Sequence, residues 1–138
     1  MKIDYKILWL DDKAKTITDD GYNIEIESYL KELYFEPHIT LTKNEKEFFD
    51  NLTDDYDLIL TDYHLEDGNN RNGDVIIKEV RDKSIFTEIM FYSAKGDVVD
   101  TNKLDRITFV DTSRNKGDHY DTVIDKAKDL IDLTVKKF

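Results

Sequence analysis

The chain has 138 residues, a formal net charge of -11 from 31 acidic and 20 basic residues, and no cysteine. That length is enough to bury a core without a disulfide or metal staple, and we expect a single domain over residues 1–138. The acidic balance excludes a surface built to attract phosphate backbones, so no direct nucleic-acid contact is expected. No apolar run approaches membrane-span length and no charged-then-apolar leader opens MKIDYKILWL, which together predict a soluble, cytoplasmic protein.

In chain order, short β-rich apolar runs recur at Lys6 to Leu10, Pro37 to Thr42, Leu58 to Asp62, Glu88 to Ser93 and Ile107 to Thr112. Helical periodicity fills the intervals. Ile26, Tyr29, Leu30 and Leu33 share one face of a helix over about Asn23 to Tyr34, while Phe48, Phe49 and Leu52 mark a short second helix. Val75, Ile76, Val80 and Ile77 mark a third, which ends near Arg81. Val98, Val99 and Leu104 mark a short fourth, and Val123, Ile124, Ala127, Leu130, Ile131 and Leu133 a long fifth. The segment KAKTITDDGYN reads as an expanded connection after Asp12, and Gly68 to Asn72 as a polar insertion before Gly73.

Strict alternation of strands and helices predicts parallel strands joined by right-handed crossovers, with helices on both faces. ILWL and LILT are apolar throughout, as central strands buried on both sides must be. The fold class is therefore α/β, a flavodoxin-like doubly wound sheet of five parallel strands in the order 2-1-3-4-5.

In such a sheet the functional groups collect at the carboxyl ends of the strands, beside the point where strand order reverses. That rule selects Asp11 and Asp12 after the first strand, Asp62 after the third, Ser93, Ala94 and Lys95 after the fourth, and Asp111 to Ser113 after the fifth. Any one acidic residue following a strand ordinarily caps a helix or solvates a loop. Three carboxylates converging on one edge are different, because like charges raise one another's pKa unless a cation compensates. Hard oxygen donors with positions left open for water or phosphate suit Mg2+ (or Mn2+). His38, His64 and His119 are scattered and form no Cys/His metal motif, and neither a Gly-rich phosphate loop nor a nucleophile elbow is present.

LWLDD followed by Lys13, then LILTDYHL, then FYSAK resemble the acidic pair, the phosphoacceptor strand and the hydroxyl strand of response-regulator receiver domains. Asp62 lies 50 positions after Asp12, and Ser93 lies 31 after Asp62. The resemblance spans essentially the whole chain. It implies a phosphoacceptor role for Asp62, metal-side carboxylates at Asp11 and Asp12, a further metal ligand in the backbone carbonyl of His64, and a phosphate hydrogen bond from Ser93. It also implies that His64 and Lys95 tune hydrolysis of the acyl phosphate, and that Phe109, with Tyr92 beside Ser93, moves with the switch. The implied partners are a histidine kinase or phosphotransfer protein, and a downstream protein or an output domain missing from this sequence.

The pattern departs from the family at the fifth strand. Receivers end it with lysine and proline, whereas ITFVDTSRNKG carries Asp111 or Thr112 there, leaving Arg114, Lys116 or Lys95 to supply a cation. A degenerate receiver acting as a phosphorylation-independent interaction module is the alternative reading. A magnesium-dependent aspartyl phosphatase ranks third, since no aspartate follows Asp11 or Asp12 at a spacing of two.

Overall fold

The computed structural model describes residues 2–63, 72–95, 105–113 and 119–136. Its elements run β1 (Ile3–Leu10), α1 (Ala14–Asp19), α2 (Tyr22–Glu32), β2 (Phe35–Thr42), α3 (Glu45–Asn51), β3 (Leu58–Asp62), α4 (Gly73–Asp82), β4 (Glu88–Ser93), β5 (Ile107–Asp111) and α5 (His119–Val135). The strands form one parallel sheet in the order β2-β1-β3-β4-β5. Both β3 and β4 keep the bounds read from their apolar runs. The fourth helix anticipated around Val98, Val99 and Leu104 lies outside the described residues.

Alternation along each strand divides the core into two layers. Tyr5, Ile7 and Trp9 of β1, with Leu60, Met90 and Tyr92, face Ile17 of α1, Ile26 and Leu30 of α2, and Val123, Ile124 and Ile131 of α5. Leu8, Leu10, Ile59, Ile89 and Phe91 face the other way, onto Phe48 of α3 and Ile76 and Val80 of α4. Helices thus cover both faces, which is the doubly wound arrangement. Burying a Leu, Ile or Phe side chain contributes about 1.5–3 kcal/mol, and β1 and β3 contribute on both faces at once.

Three expectations are corrected. The segment after Asp12 is not simply an expanded connection. It forms α1, whose Ile17 is fully buried. Val75, assigned to the apolar face of the third helix, is 40% exposed. At roughly 100° per residue it sits about 140° around the helix from Val80, while Ile76 and Ile77 take the buried positions. Leu133 is 56% exposed. It points about 160° away from Ile131, and the buried position at this end of α5 goes to Thr134, whose Oγ1 lies 2.5 Å from the Tyr5 hydroxyl.

Arg81, near the end of α4 as anticipated, ties the sheet's lower edge together. Its guanidinium donates to the carbonyls of Ile85, Thr87, Asp105 and Arg106 at 2.9–3.3 Å. The planar fork suits this role, because it can serve several acceptors in fixed geometry.

Candidate functional site

Asp11 follows the last residue of β1 and prolongs its ladder, with its N–H donating to the Thr42 carbonyl at 3.0 Å. Its own carbonyl accepts from Ala14 N at 3.1 Å and its Oδ1 accepts from Lys13 N at 2.8 Å. This local turn, in which an aspartate side chain takes the amide two residues on, directs the chain into α1. Asp62 closes β3 opposite Tyr92 of β4, and Tyr63 N continues the ladder to the Tyr92 carbonyl at 2.8 Å.

Gly73 starts α4 hard against this strand end, with its N–H on the Tyr63 carbonyl at 2.9 Å. A β-carbon there would stand 3.1 Å from Tyr63 Cα and 3.3 Å from the Asp62 carbonyl oxygen, so glycine is what allows the approach.

The sheet order brings the three carboxylates of Asp11, Asp12 and Asp62 together, with one ligand atom of each within 4.8 Å of the others. Asp11 is fully buried, and Asp12 and Asp62 are half-buried. Burial, more than any other cause, pushes the Asp11 carboxyl up from its ordinary value; Asp12 adds to this, while bonds from Tyr92, Lys13 N and Tyr120 oppose it. A divalent cation fits such a donor set: three hard oxygens whose mutual repulsion it would relieve. His64, whose carbonyl the resemblance adds to the ligands, lies outside the described residues.

Two tyrosines that sequence reasoning did not place in the site complete the surroundings of Asp11. The Tyr92 hydroxyl donates to Asp11 Oδ2 at 2.6 Å and the Tyr120 hydroxyl donates to the same oxygen at 3.0 Å. Trp9 Nε1 in turn donates to the Tyr92 hydroxyl at 2.8 Å. Burial and the neighbouring carboxylates push both phenols well above their ordinary range, so each stays a protonated donor. The resemblance gives Tyr92 a part in the switch beside Ser93, not a hydrogen bond to Asp11. Tyr120 gave no signal, since 109 positions separate it from Asp11 and only the topology joins them.

Ser93 is fully buried at the end of β4, and its Oγ accepts from Lys95 N at 3.0 Å. Lys95 itself is exposed. The register sets Asp111 of β5 directly opposite Ser93, with Thr112 next in the chain, and Asp111 Oδ1 accepts from Ser113 N at 2.9 Å. Thr112 closes the strand end with its N–H and Oγ1 on the Ser93 carbonyl, at 2.8 and 3.2 Å, and its hydroxyl lies 2.6 Å from His119 Nδ1. Arg114 and Lys116 lie outside the described residues. Phe109 is half-buried, its ring 4.9 Å from Phe91 and 6.1 Å from Tyr63.

A parallel 2-1-3-4-5 sheet with an acidic cluster at its switch point defines a flavodoxin-like α/β protein. Comparison with solved structures narrows the fold to that of response-regulator receiver domains. A receiver domain protein from Clostridium thermocellum matches with a TM-score of 0.60 and 15% identity, covering 94% of this chain and 98% of its own. One from Bacillus halodurans matches with a TM-score of 0.62 and 13% identity over 92% and 96%. The response regulator protein TrrA from Thermotoga maritima, in complex with Mg(2+)-BeF, matches with a TM-score of 0.56 and 21% identity over 91% and 98%. At these identities the likeness is one of fold. No family model and no curated protein matches the chain in sequence. Among the described residues no helix is long and apolar enough to cross a membrane.

Proposed function

We propose that residues 1–138 form a receiver domain of two-component signalling, phosphorylated on Asp62 in a Mg2+-dependent (or Mn2+-dependent) reaction by a histidine kinase or phosphotransfer protein in the cytoplasm. The observation that carries this reading is the convergence of Asp11, Asp12 and Asp62 within 4.8 Å at the carboxyl edge of a receiver-type sheet. One Asp62 carboxylate oxygen attacks the donor phosphorus, the P–N bond to the donor histidine breaks, and the released imidazole takes up a proton. A bound cation supplies neutralisation of the charge on the transferred group.

Asp11, Asp12 and Asp62, with the His64 carbonyl, would hold that cation. Asp11 has less to give. A carboxylate has about four lone-pair sites, of which Tyr92, Tyr120 and Lys13 N already use three, leaving one on Oδ1. The Ser93 hydroxyl would hydrogen-bond a phosphate oxygen and Lys95 would tune hydrolysis. The change would pass to a downstream protein or an output domain.

Intact mass after incubation with Mg2+ and a small-molecule phosphodonor tests this, run beside Asp62→Asn. A phosphate adduct is expected that requires Mg2+ and is absent from the variant; an adduct that persists in Asp62→Asn would sink the assignment. Following decay of the adduct in Lys95→Ala tests the tuning role, and decay identical to wild type would remove Lys95 from the site.

One observation favours a second reading, a receiver that binds partners without being phosphorylated. Asp111 pairs with Ser93 and Thr112 follows it, so neither candidate for the pattern's lysine position at the end of β5 is basic. That reading predicts no adduct in the same assay.

A further inference from the structure

Around Asp11 the polar contacts form a buried system. Trp9 Nε1 donates to Tyr92, Tyr92 and Tyr120 both donate to Asp11 Oδ2, and Lys13 N donates to Oδ1. Trp9, Tyr92 and Asp11 are fully buried and Tyr120 is nearly so. The Tyr120 ring is further fixed by Tyr22 of α2 at 5.2 Å and His119 at 4.7 Å, and His119 also lies 5.5 Å from Tyr92.

We propose that Tyr92 and Tyr120 are positioning residues for the acidic cluster, and that through Tyr120 the first turn of α5 responds directly to what the cluster holds. This rests on the reading that the cluster takes a divalent cation. Tyr120 is the second residue of α5, and the helix continues into the core through Val123 and Ile124. A buried hydroxyl that loses its acceptor is left with an unmet desolvation cost. Tyr120 therefore follows Asp11 when the carboxylate shifts or shares its electrons with a cation. Coupling of this kind is reciprocal: whatever seats the start of α5 also sets the affinity of the cluster. The route begins at Asp11 and crosses one hydrogen bond to the helix, beside the separate contact of Thr112 at the end of β5 with His119. Trp9, the single tryptophan, reports on the Tyr92 arm.

The test compares the full chain with Tyr120→Phe and Tyr92→Phe, each titrated with Mg2+ by calorimetry. Amide exchange of the first two turns of α5 and Trp9 emission are followed in parallel. In wild type, Mg2+ is expected to change α5 exchange by about fivefold or more and to shift Trp9 emission. Tyr120→Phe is expected to bind Mg2+ with a changed affinity and to keep the Trp9 response while losing the α5 response. Tyr92→Phe is expected to bind Mg2+ with the Trp9 response lost, and it carries the test if Tyr120→Phe does not fold. Mg2+ binding with an α5 response in Tyr120→Phe equal to wild type would overturn the proposal alone. No Mg2+ binding by wild type would overturn both the proposal and the cation reading beneath it.

Discussion

On the proposed reading that Asp62 takes the phosphoryl group, replacing Asp111 by lysine exchanges an acidic for a basic side chain at the end of β5 and is expected to raise the yield of phosphorylated Asp62. Asp62 ends β3 and Asp111 ends β5, with β4 between them. Neighbouring strands lie about 4.8 Å apart, so the two positions are separated by about 10 Å. At an effective dielectric of about 20, one pair of unit charges at that distance interacts by about 1.7 kcal/mol. Asp111→Lys changes the local charge by two units, or about 3 kcal/mol for each negative charge that phosphorylation adds. Salt at about 0.1 M, with a Debye length near 10 Å, reduces this to about 1–2 kcal/mol. The expected gain in adduct at steady state is about 5-fold to 30-fold. The same lysine repels the cation, so the intact-mass assay is run at saturating Mg2+. Asp111→Asn, which keeps an acceptor for Ser113 N, is expected to give about half the free-energy effect. The reasoning fails if Asp111→Lys melts like wild type, binds Mg2+, and accumulates no more phosphate than wild type.

Two further substitutions probe the site's construction. In Gly73→Ala the new methyl meets backbone atoms of Tyr63 and Asp62, which cannot swing aside, and the cost is expected to be about 1–3 kcal/mol; a urea midpoint equal to wild type would contradict that close approach. Asp11→Asn tests the buried carboxylate. Because burial raises the folded-state pKa above the ordinary 3.8, the native protein retains a proton that the unfolded chain has released. Stability in cation-free buffer then falls as pH rises from about 4 toward the raised value and stays lowered above it. Thermal melts should show Asp11→Asn gaining on wild type between pH 4 and pH 7. Asp57, also raised chiefly by burial, contributes the same trend to both proteins and cancels. Parallel curves for the two would remove Asp11 as the source.

The parts of this fold that were legible in the sequence share one property, burial on two sides. β3 and β4 are continuous apolar runs bounded by polar turns, and no other element type accommodates five or six such residues between two helical layers. α1 escaped because its six residues hold one buried side chain, Ile17, and its N-cap Lys13 makes no side-chain cap bond. Neither periodicity nor capping chemistry announces such a helix. The carboxylates were legible because strand ends are marked in sequence and the switch-point rule places them. The phenols were not, because Tyr92 and Tyr120 look like core aromatics of a strand and a helix, which they also are.

The two departures at the site bear on one another. A lysine at the end of β5, as in the receiver pattern, would be a mobile point charge on a long stem, able to offset nearby carboxylates. Here Asp111 adds negative charge at that strand end, while the donors facing Asp11 are two neutral phenols on rigid, buried rings. Neutral donors steady a carboxylate without cancelling its charge, so the cluster keeps a stronger pull on a cation than a lysine-bearing site would have. They also cannot reach across to a phosphate on Asp62 as a lysine on its long stem could. On the reading proposed above, a site built this way favours cation capture over phosphate retention, and one link from it to the rest of the molecule runs through Tyr120 into α5. Cation affinity and phosphoryl lifetime should therefore move in opposite directions when Asp111 becomes lysine, and a variant in which both rise would break this account of why the two departures occur together.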